Sequence, residues 1–252
     1  MTSTAELNHA VFHGYFRSSA AYRCRIAFNL KGVAPDQRFV HLRKAEQRSA
    51  AFKAIAPAGL VPALDLSGGD GATVLTQSLA IIEWLDEICP EPALLPADPW
   101  TRAQARAFAL TIACDIHPVN NLRILAYLKG PLGHDQATAD TWYRHWIAEG
   151  LTAAEALAQQ ALDAGTGGAF LYGDQPGLAD LCLVPQIYNA RRFNCPMDAY
   201  PRLVAVEAAC NALPAFADAL PERQPDAEGN GTSRIRRRQV SHPAVSISSI
   251  RN

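Results

Sequence analysis

Residues 11–32 read VFHGYFRSSAAYRCRIAFNLKG, and the way this stretch divides decides the fold. Residues 11–16 form an apolar run suited to a buried strand. Ser18 and Ser19 then precede Tyr22, Ile26 and Leu30, spaced at four, and Gly32 stands where a helix would stop. The stretch therefore reads as strand, turn, helix, with two hydroxyls at the helix start. A helix N-terminus offers unsatisfied N–H groups and a partial positive charge, so a serine there is either a plain cap or a donor to an anion. Ala20 in the next place excludes a redox cysteine pair from this turn.

Downstream, residues 38–42 read as a second strand, 47–55 as a short helix and 60–66 as a third strand containing Pro62. The glycines of SGGDGAT (67–73) lie between two apolar runs, which predicts a hairpin turn; a phosphate cradle would need a helix next. After Gln77 and Ser78, LAIIEWLDEI has helical spacing and stops at Cys89-Pro90. The expected first domain is β-α-β-α-β-β-α over residues 10–90. PEPALLPADP (90–99) holds four prolines and reads as an extended linker, placed at 91–99. Helices are then expected over 100–128, 137–164, 178–193 and 201–213, an all-helical second domain spanning 100–220. From Pro221 the helical period stops, so residues 221–252 read as a disordered tail whose Arg234, Arg236, Arg237 and Arg238 are solvated.

The chain has 252 residues, 49% hydrophobic and 19% charged, with a net charge of -1, which suits two compact domains and argues against a dedicated polyanion binder. No run approaches the roughly 20 apolar residues of a membrane span, and residues 1–15 lack a leader pattern. A cytoplasmic protein without nucleic-acid or membrane partners is expected. The six cysteines are scattered, with no C-x-x-C pair and no metal-ligand spacing, and read as buried thiols.

Two further stretches carry polar residues in helical surroundings. CDIHPVNNLRIL (114–125) puts Pro118 inside a helix, where it cannot donate to the Cys114 carbonyl and should kink the chain. On an ideal helix His117 and Asn121 lie roughly 40° apart, whereas Arg123 is about 120° from His117 and needs the kink to join them. In GDQPGLADLCLVPQ (173–186) Gly177 occupies the helix cap and Asp180 can accept from a helix-start N–H, a structural motif with half its reciprocal cap missing.

The stretches YFRSSAAYRCRIAFNLKG, GLVPALDL, TQSLAIIEWLDE, PALLPADP, CDIHPVNNLRIL, GLADLCLVPQIYNARRF and AYPRL, in this order over residues 11–221, resemble the zeta class of glutathione transferases and its bacterial maleylacetoacetate isomerases. The resemblance implies a thioredoxin-like first domain, a helical second domain, and glutathione as cofactor. It assigns the contact with the glutathione sulfur to Ser18, with Ser19 its neighbour, and leaves open which serine activates the thiol. Ala20 stands where some members carry a cysteine. By the same resemblance the glutathione site comprises Ser18, Ser19, Ala20, Ala21, Tyr22, Arg23, Gln47, Val61, Pro62 (in a cis peptide), Gln77, Ser78, His117, Asn121, Leu122 and Arg123. His117 joins the two serines as a catalytic candidate. Arg17, Arg123 and Arg192, with Arg191 beside it, are candidates for the carboxylates of a small dicarboxylate substrate, since a guanidinium fork matches a carboxylate. No metal is implied. The implied reaction is cis-trans isomerisation of maleylacetoacetate to fumarylacetoacetate in tyrosine and phenylalanine catabolism. Maleylpyruvate isomerisation and general glutathione transfer are the alternatives, and a homodimer is expected.

Overall fold

The computed structural model describes residue 7 and residues 9–228. The arginines at 234, 236, 237 and 238 lie outside the described residues. Strands β1 (Val11–Gly14), β2 (Asp36–Phe39), β3 (Ala63–Asp65) and β4 (Val74–Thr76) form one mixed sheet in the order β2-β1-β3-β4. β1 pairs parallel with β2 and antiparallel with β3, and β3 pairs antiparallel with β4. The β1–β2 crossover is helix α1 (Ser19–Lys31); α2 (Ala50–Ile55) precedes β3, and α3 (Ser78–Ile88) follows β4. The predicted thioredoxin-like order is thus present, and residues 67–73 do form a hairpin, closed by Leu66 N–H to the Thr73 carbonyl at 2.8 Å.

Strand positions differ from those read in the sequence. The second strand is Asp36–Phe39 rather than 38–42, and all four of its residues are exposed. It is a polar edge strand, the kind that discourages further pairing. Val40, which drew the prediction onward, instead packs with Phe52, Ala56 and Ala63 in a small satellite core. The helix expected over 47–55 is a 3-10 turn, Glu46–Arg48, followed by α2 with Ser49 as its cap.

The linker is pinned. Lys31, at the end of α1, donates from its buried Nζ to Asp86 Oδ1 (2.6 Å) and to the carbonyls of Cys89 (2.6 Å) and Pro92 (2.5 Å). Asp86 also accepts from Leu94 N–H at 2.9 Å, and the Leu94 carbonyl accepts from Leu178 N–H at 2.8 Å. Gly177 lies against this bend: a Cβ there would stand 2.7 Å from the Leu94 carbonyl oxygen. The missing half-cap is therefore a steric requirement. Asp180 makes the other half, accepting from Gly177 N–H at 2.9 Å and Leu171 N–H at 3.0 Å.

The helical part contains α4 (Pro99–Leu110), α5 (Leu122–Lys129), α6 (Gln136–Asp163), α7 (Leu178–Arg192), α8 (Pro201–Asn211) and α9 (Pro214–Ala217). The single kinked helix expected over 100–128 is in fact broken. After Leu110 the chain runs as a π-helical turn, Thr111–Ile116, then as a non-helical turn, and restarts at Leu122. α6 fixes this interruption, because its Gly150 backbone lies against Ile116 (a Cβ there would meet Ile116 Cγ1 at 2.1 Å) and its Trp142 Nε1 donates to the Val119 carbonyl at 2.9 Å.

α7 is almost wholly buried and packs on α1, so one continuous core joins sheet and bundle. Cys24, Cys89, Cys182 and Cys210 are buried as expected, but Cys114 is exposed and Cys195 half-buried. Residues 221–228 do not behave as the predicted tail: Pro221–Arg223 is a 3-10 turn and the segment returns to the first domain. No described helix is long and apolar enough to cross a membrane.

Candidate active site

β1 ends at Gly14, and Ser18 N–H closes a turn by donating to the Tyr15 carbonyl at 3.0 Å. Ser18 is the N-cap of α1, with extended backbone (φ -71°, ψ 117°), and its Oγ accepts from Ala21 N–H at 3.2 Å. A hydroxyl that accepts through a lone pair still holds its own proton. Among the described residues nothing accepts that proton. The cap and an anion-donor role are therefore compatible in one side chain. The first turn of α1 has no acidic residue, so its positive end is unopposed from within the helix.

Ser19 is placed differently. It is buried, and its Oγ accepts from Asn189 Nδ2 of α7 at 2.5 Å. Ala21, Tyr22 and Arg23 are also core residues, so their side chains do not line an open surface. Burial raises the Tyr22 phenol far above its ordinary range, which keeps it protonated. Arg23 is 1% exposed, its charge acts on the Cys182 thiol, and its Nε finds no partner among the described residues.

Three features of the sheet end suit a peptide-like ligand. Val61–Pro62 is a cis peptide, and the backbone of Val61 lies just before the β3 ladder, which begins at Ala63. Gln47 Oε1 is buried without a partner among the described residues, leaving an acceptor for a ligand N–H. Gln77, the cap residue of α3, holds φ 69° and ψ 114°, a conformation that costs a non-glycine residue on the order of 1–3 kcal/mol and collects at binding sites. Ser78, the first residue of α3, is buried beside it and its carbonyl accepts from the Cys24 thiol at 3.7 Å.

His117 follows the π turn, with its N–H on the Ile112 carbonyl at 2.9 Å. Burial, then the Arg23 and Arg123 guanidiniums, push its pKa down to about 3, so the imidazole is neutral at physiological pH. The expected shared helical face of His117 and Asn121 is absent, because the helix is broken between them. Asn121 instead caps α5, its Oδ1 accepting from Arg123 N–H at 3.1 Å. Leu122 and Arg123 are exposed on the first turn of α5. Asn120, which the sequence reading passed over, is buried with both ends of its amide unpartnered among the described residues.

The arginines also separate. Arg191 is held by Glu207 (Nη2 to Oε2, 2.5 Å), whereas Arg192 is exposed and lies over the Phe193 ring, its Cζ 5.0 Å from the centroid. Arg17 pairs with Glu228 at 3.1 Å. Tyr188 of α7, also missed in the sequence because it sits in an apolar helical pattern, feels both Arg17 and Arg192; burial and its bond to Glu222 (2.5 Å) raise its phenol to about 12. A separate cavity of about 420 Å³, lined by Arg144, His145, Cys195 and Tyr200 among others, shares no residue with this site.

The sequence profile of the glutathione S-transferase N-terminal domain matches residues 17–88. The chain is 48% identical to a probable maleylacetoacetate isomerase of Vibrio cholerae, over 86% of this chain and 98% of that one. It is 49% identical, with a TM-score of 0.81, to a holo structure of maleylpyruvate isomerase described as a bacterial glutathione S-transferase in zeta class, covering 86% of this chain and 99% of that one. A maleylacetoacetate isomerase of Methylobacterium extorquens with bound malonate and glutathione matches at 37% identity and a TM-score of 0.80, over 86% and 99%. With the sheet order, the cis-proline turn and near-complete coverage of relatives at such identity, the chain belongs to the zeta class of the glutathione transferase family.

Proposed function

We propose that this chain catalyses glutathione-dependent cis-trans isomerisation of maleylacetoacetate to fumarylacetoacetate, within aromatic amino-acid breakdown in the cytoplasm. The observation that carries the reading is the Ser18 hydroxyl, which caps α1 while keeping a proton to donate at the positive end of the helix. Glutathione supplies the thiolate that adds to the cis double bond and is expelled after rotation about the resulting single bond. The residues fit such a peptide: the open Gln47 acceptor, the Val61 backbone and the Gln77-Ser78 helix start offer one partner each to its main chain and carboxylate.

Ser18 and the helix end lower the thiol pKa by stabilising the anion. The neutral imidazole of His117 can donate one N–H to the ketone oxygen where negative charge develops, and Arg23 and Arg123 add positive potential there. Arg123 and Arg192, both exposed, are the candidates for substrate carboxylates, while Arg17 would join them only by leaving Glu228. Maleylpyruvate, named for one of the matching structures, shares the cis double bond and is the second reading. Exposed Trp100, Leu110, Leu122 and Tyr127 support self-association as a homodimer, which sedimentation velocity tests. Turnover of both substrates measured side by side, with and without glutathione, tests the function. Faster glutathione-dependent turnover of maleylacetoacetate is expected, and activity without glutathione overturns the mechanism.

A further inference from the structure

The loop that presents Ser18 is held by a segment far away in the sequence. β1 ends at Gly14, so Phe16 lies beyond the ladder, with its polar backbone groups in a buried setting. Its N–H donates to Asp226 Oδ2 at 3.0 Å, across 210 positions of sequence. Its carbonyl accepts from Arg25 Nη2 at 3.0 Å. Arg25 is buried and also donates to the Ala219 carbonyl, from Nε at 3.2 Å and Nη2 at 3.0 Å. Both polar groups of Phe16 are thus tied to the segment that follows the last helix.

That segment is itself shaped to arrive there. Gln224 Nε2 donates to the carbonyls of Asp218 and Leu220, each at 2.9 Å, and Ala227 N–H closes a turn on the Gln224 carbonyl at 3.0 Å. Two residues past Asp226, Glu228 reaches Arg17 (3.1 Å), Arg43 (2.8 Å) and His41 (3.7 Å). These pairs are exposed and screened, so they guide the segment more than they fasten it. The Asp226 bond is different: it satisfies a donor that would otherwise be buried unpaired, next to a turn whose closing bond is Ser18 N–H to Tyr15.

We propose that Asp226 is a positioning residue for catalysis, fixing the Phe16 peptide so that the Ser18 hydroxyl stays aimed at the ligand sulfur. Resting on the Ser18 reading above, the inference extends the working site from the first domain to the segment at 221–228. Misplacing a catalytic group by a fraction of an ångström removes much of its effect without changing its chemistry.

The test uses the full chain with Asp226→Ala, Asp226→Asn and Ser18→Ala, following the pH titration of bound glutathione by thiolate absorbance and the exchange of the Phe16 amide. Asp226→Ala is expected to expose that amide to exchange and to raise the bound thiol pKa by about one, lowering the thiolate-to-thiol ratio about tenfold. Turnover should fall in parallel at neutral pH and recover in alkali. Asp226→Asn, whose amide oxygen can still accept, should restore both readouts. A folded Asp226→Ala chain that titrates like wild type, while Ser18→Ala does not, overturns the inference. A wild-type titration in Ser18→Ala instead overturns the Ser18 reading, and Phe16 exchange then still reports on the clamp. Should Asp226→Ala fail to fold, a chain ending at Pro225 replaces it. If that chain also fails to fold, Asp226 is a folding residue and the inference is overturned.

Discussion

Asn189 Nδ2 donates to the Ser19 hydroxyl at 2.5 Å across the interface of α1 and α7, and this bond gives Ser19 a setting different from that of Ser18, the cap of α1. Ser19 is 5% exposed and buried in the contact of α1 with α7. Ser19→Ala should therefore cost stability, about 1–3 kcal/mol because the buried Asn189 amide loses its acceptor, and should leave turnover by the folded protein nearly intact. Urea midpoints and kcat measured on the same preparation check both halves.

Gly177→Ser would complete the helix cap by composition, yet it should destabilise. The added Cβ meets the Leu94 carbonyl at 2.7 Å, where backbone must shift, and a loss of about 1–3 kcal/mol is expected from such overpacking. Thermal unfolding compared with wild type reports it; a higher melting temperature would contradict the packing described here.

The adjacent arginines should part company. Arg192→Ala is expected to raise KM for a dicarboxylate substrate by tenfold or so, the loss of one charge-assisted contact, with little change in stability. Arg191→Ala removes the partner of mostly buried Glu207 and should instead lower stability by about 1 kcal/mol with KM unchanged. Steady-state kinetics and denaturation of both variants distinguish the two.

His117 gives stability a pH dependence of known sign. Its folded pKa, about 3, lies below its unfolded value, so between the two the unfolded chain binds more protons. The contribution is fully present above the unfolded value and is lost as pH falls toward the folded one. Wild type should lose stability on acidification from neutral pH into that window, and His117→Gln should lose less. Equal losses in denaturant titrations would show that His117 does not titrate in this way.

The start of α1 was legible because its signals are local: an apolar strand, a hydroxyl cap and Gly32 in the left-handed conformation (φ 65°). The break near His117 was legible only in part. Pro118 announces a kink, but the π turn before it depends on Ile116 meeting Gly150 of α6, a contact with no local pattern. The order of residues 221–228 is not legible in the sequence for a related reason. They carry no helical period, and what orders them is a few single bonds to Phe16, Arg17 and Arg43, far away in sequence. Asn189 and Tyr188 were hidden inside the apolar run of α7, and Gln77 gave no sign of its strained backbone.

The most direct measurement is the pKa of the glutathione thiol bound to wild type, Ser18→Ala and Ser19→Ala, followed by thiolate absorbance. Ser18→Ala should bring it back toward the value of the free tripeptide, while Ser19→Ala leaves it low. A low value retained in Ser18→Ala, or lost in folded Ser19→Ala, would contradict the assignment of thiol activation to the capping hydroxyl of α1.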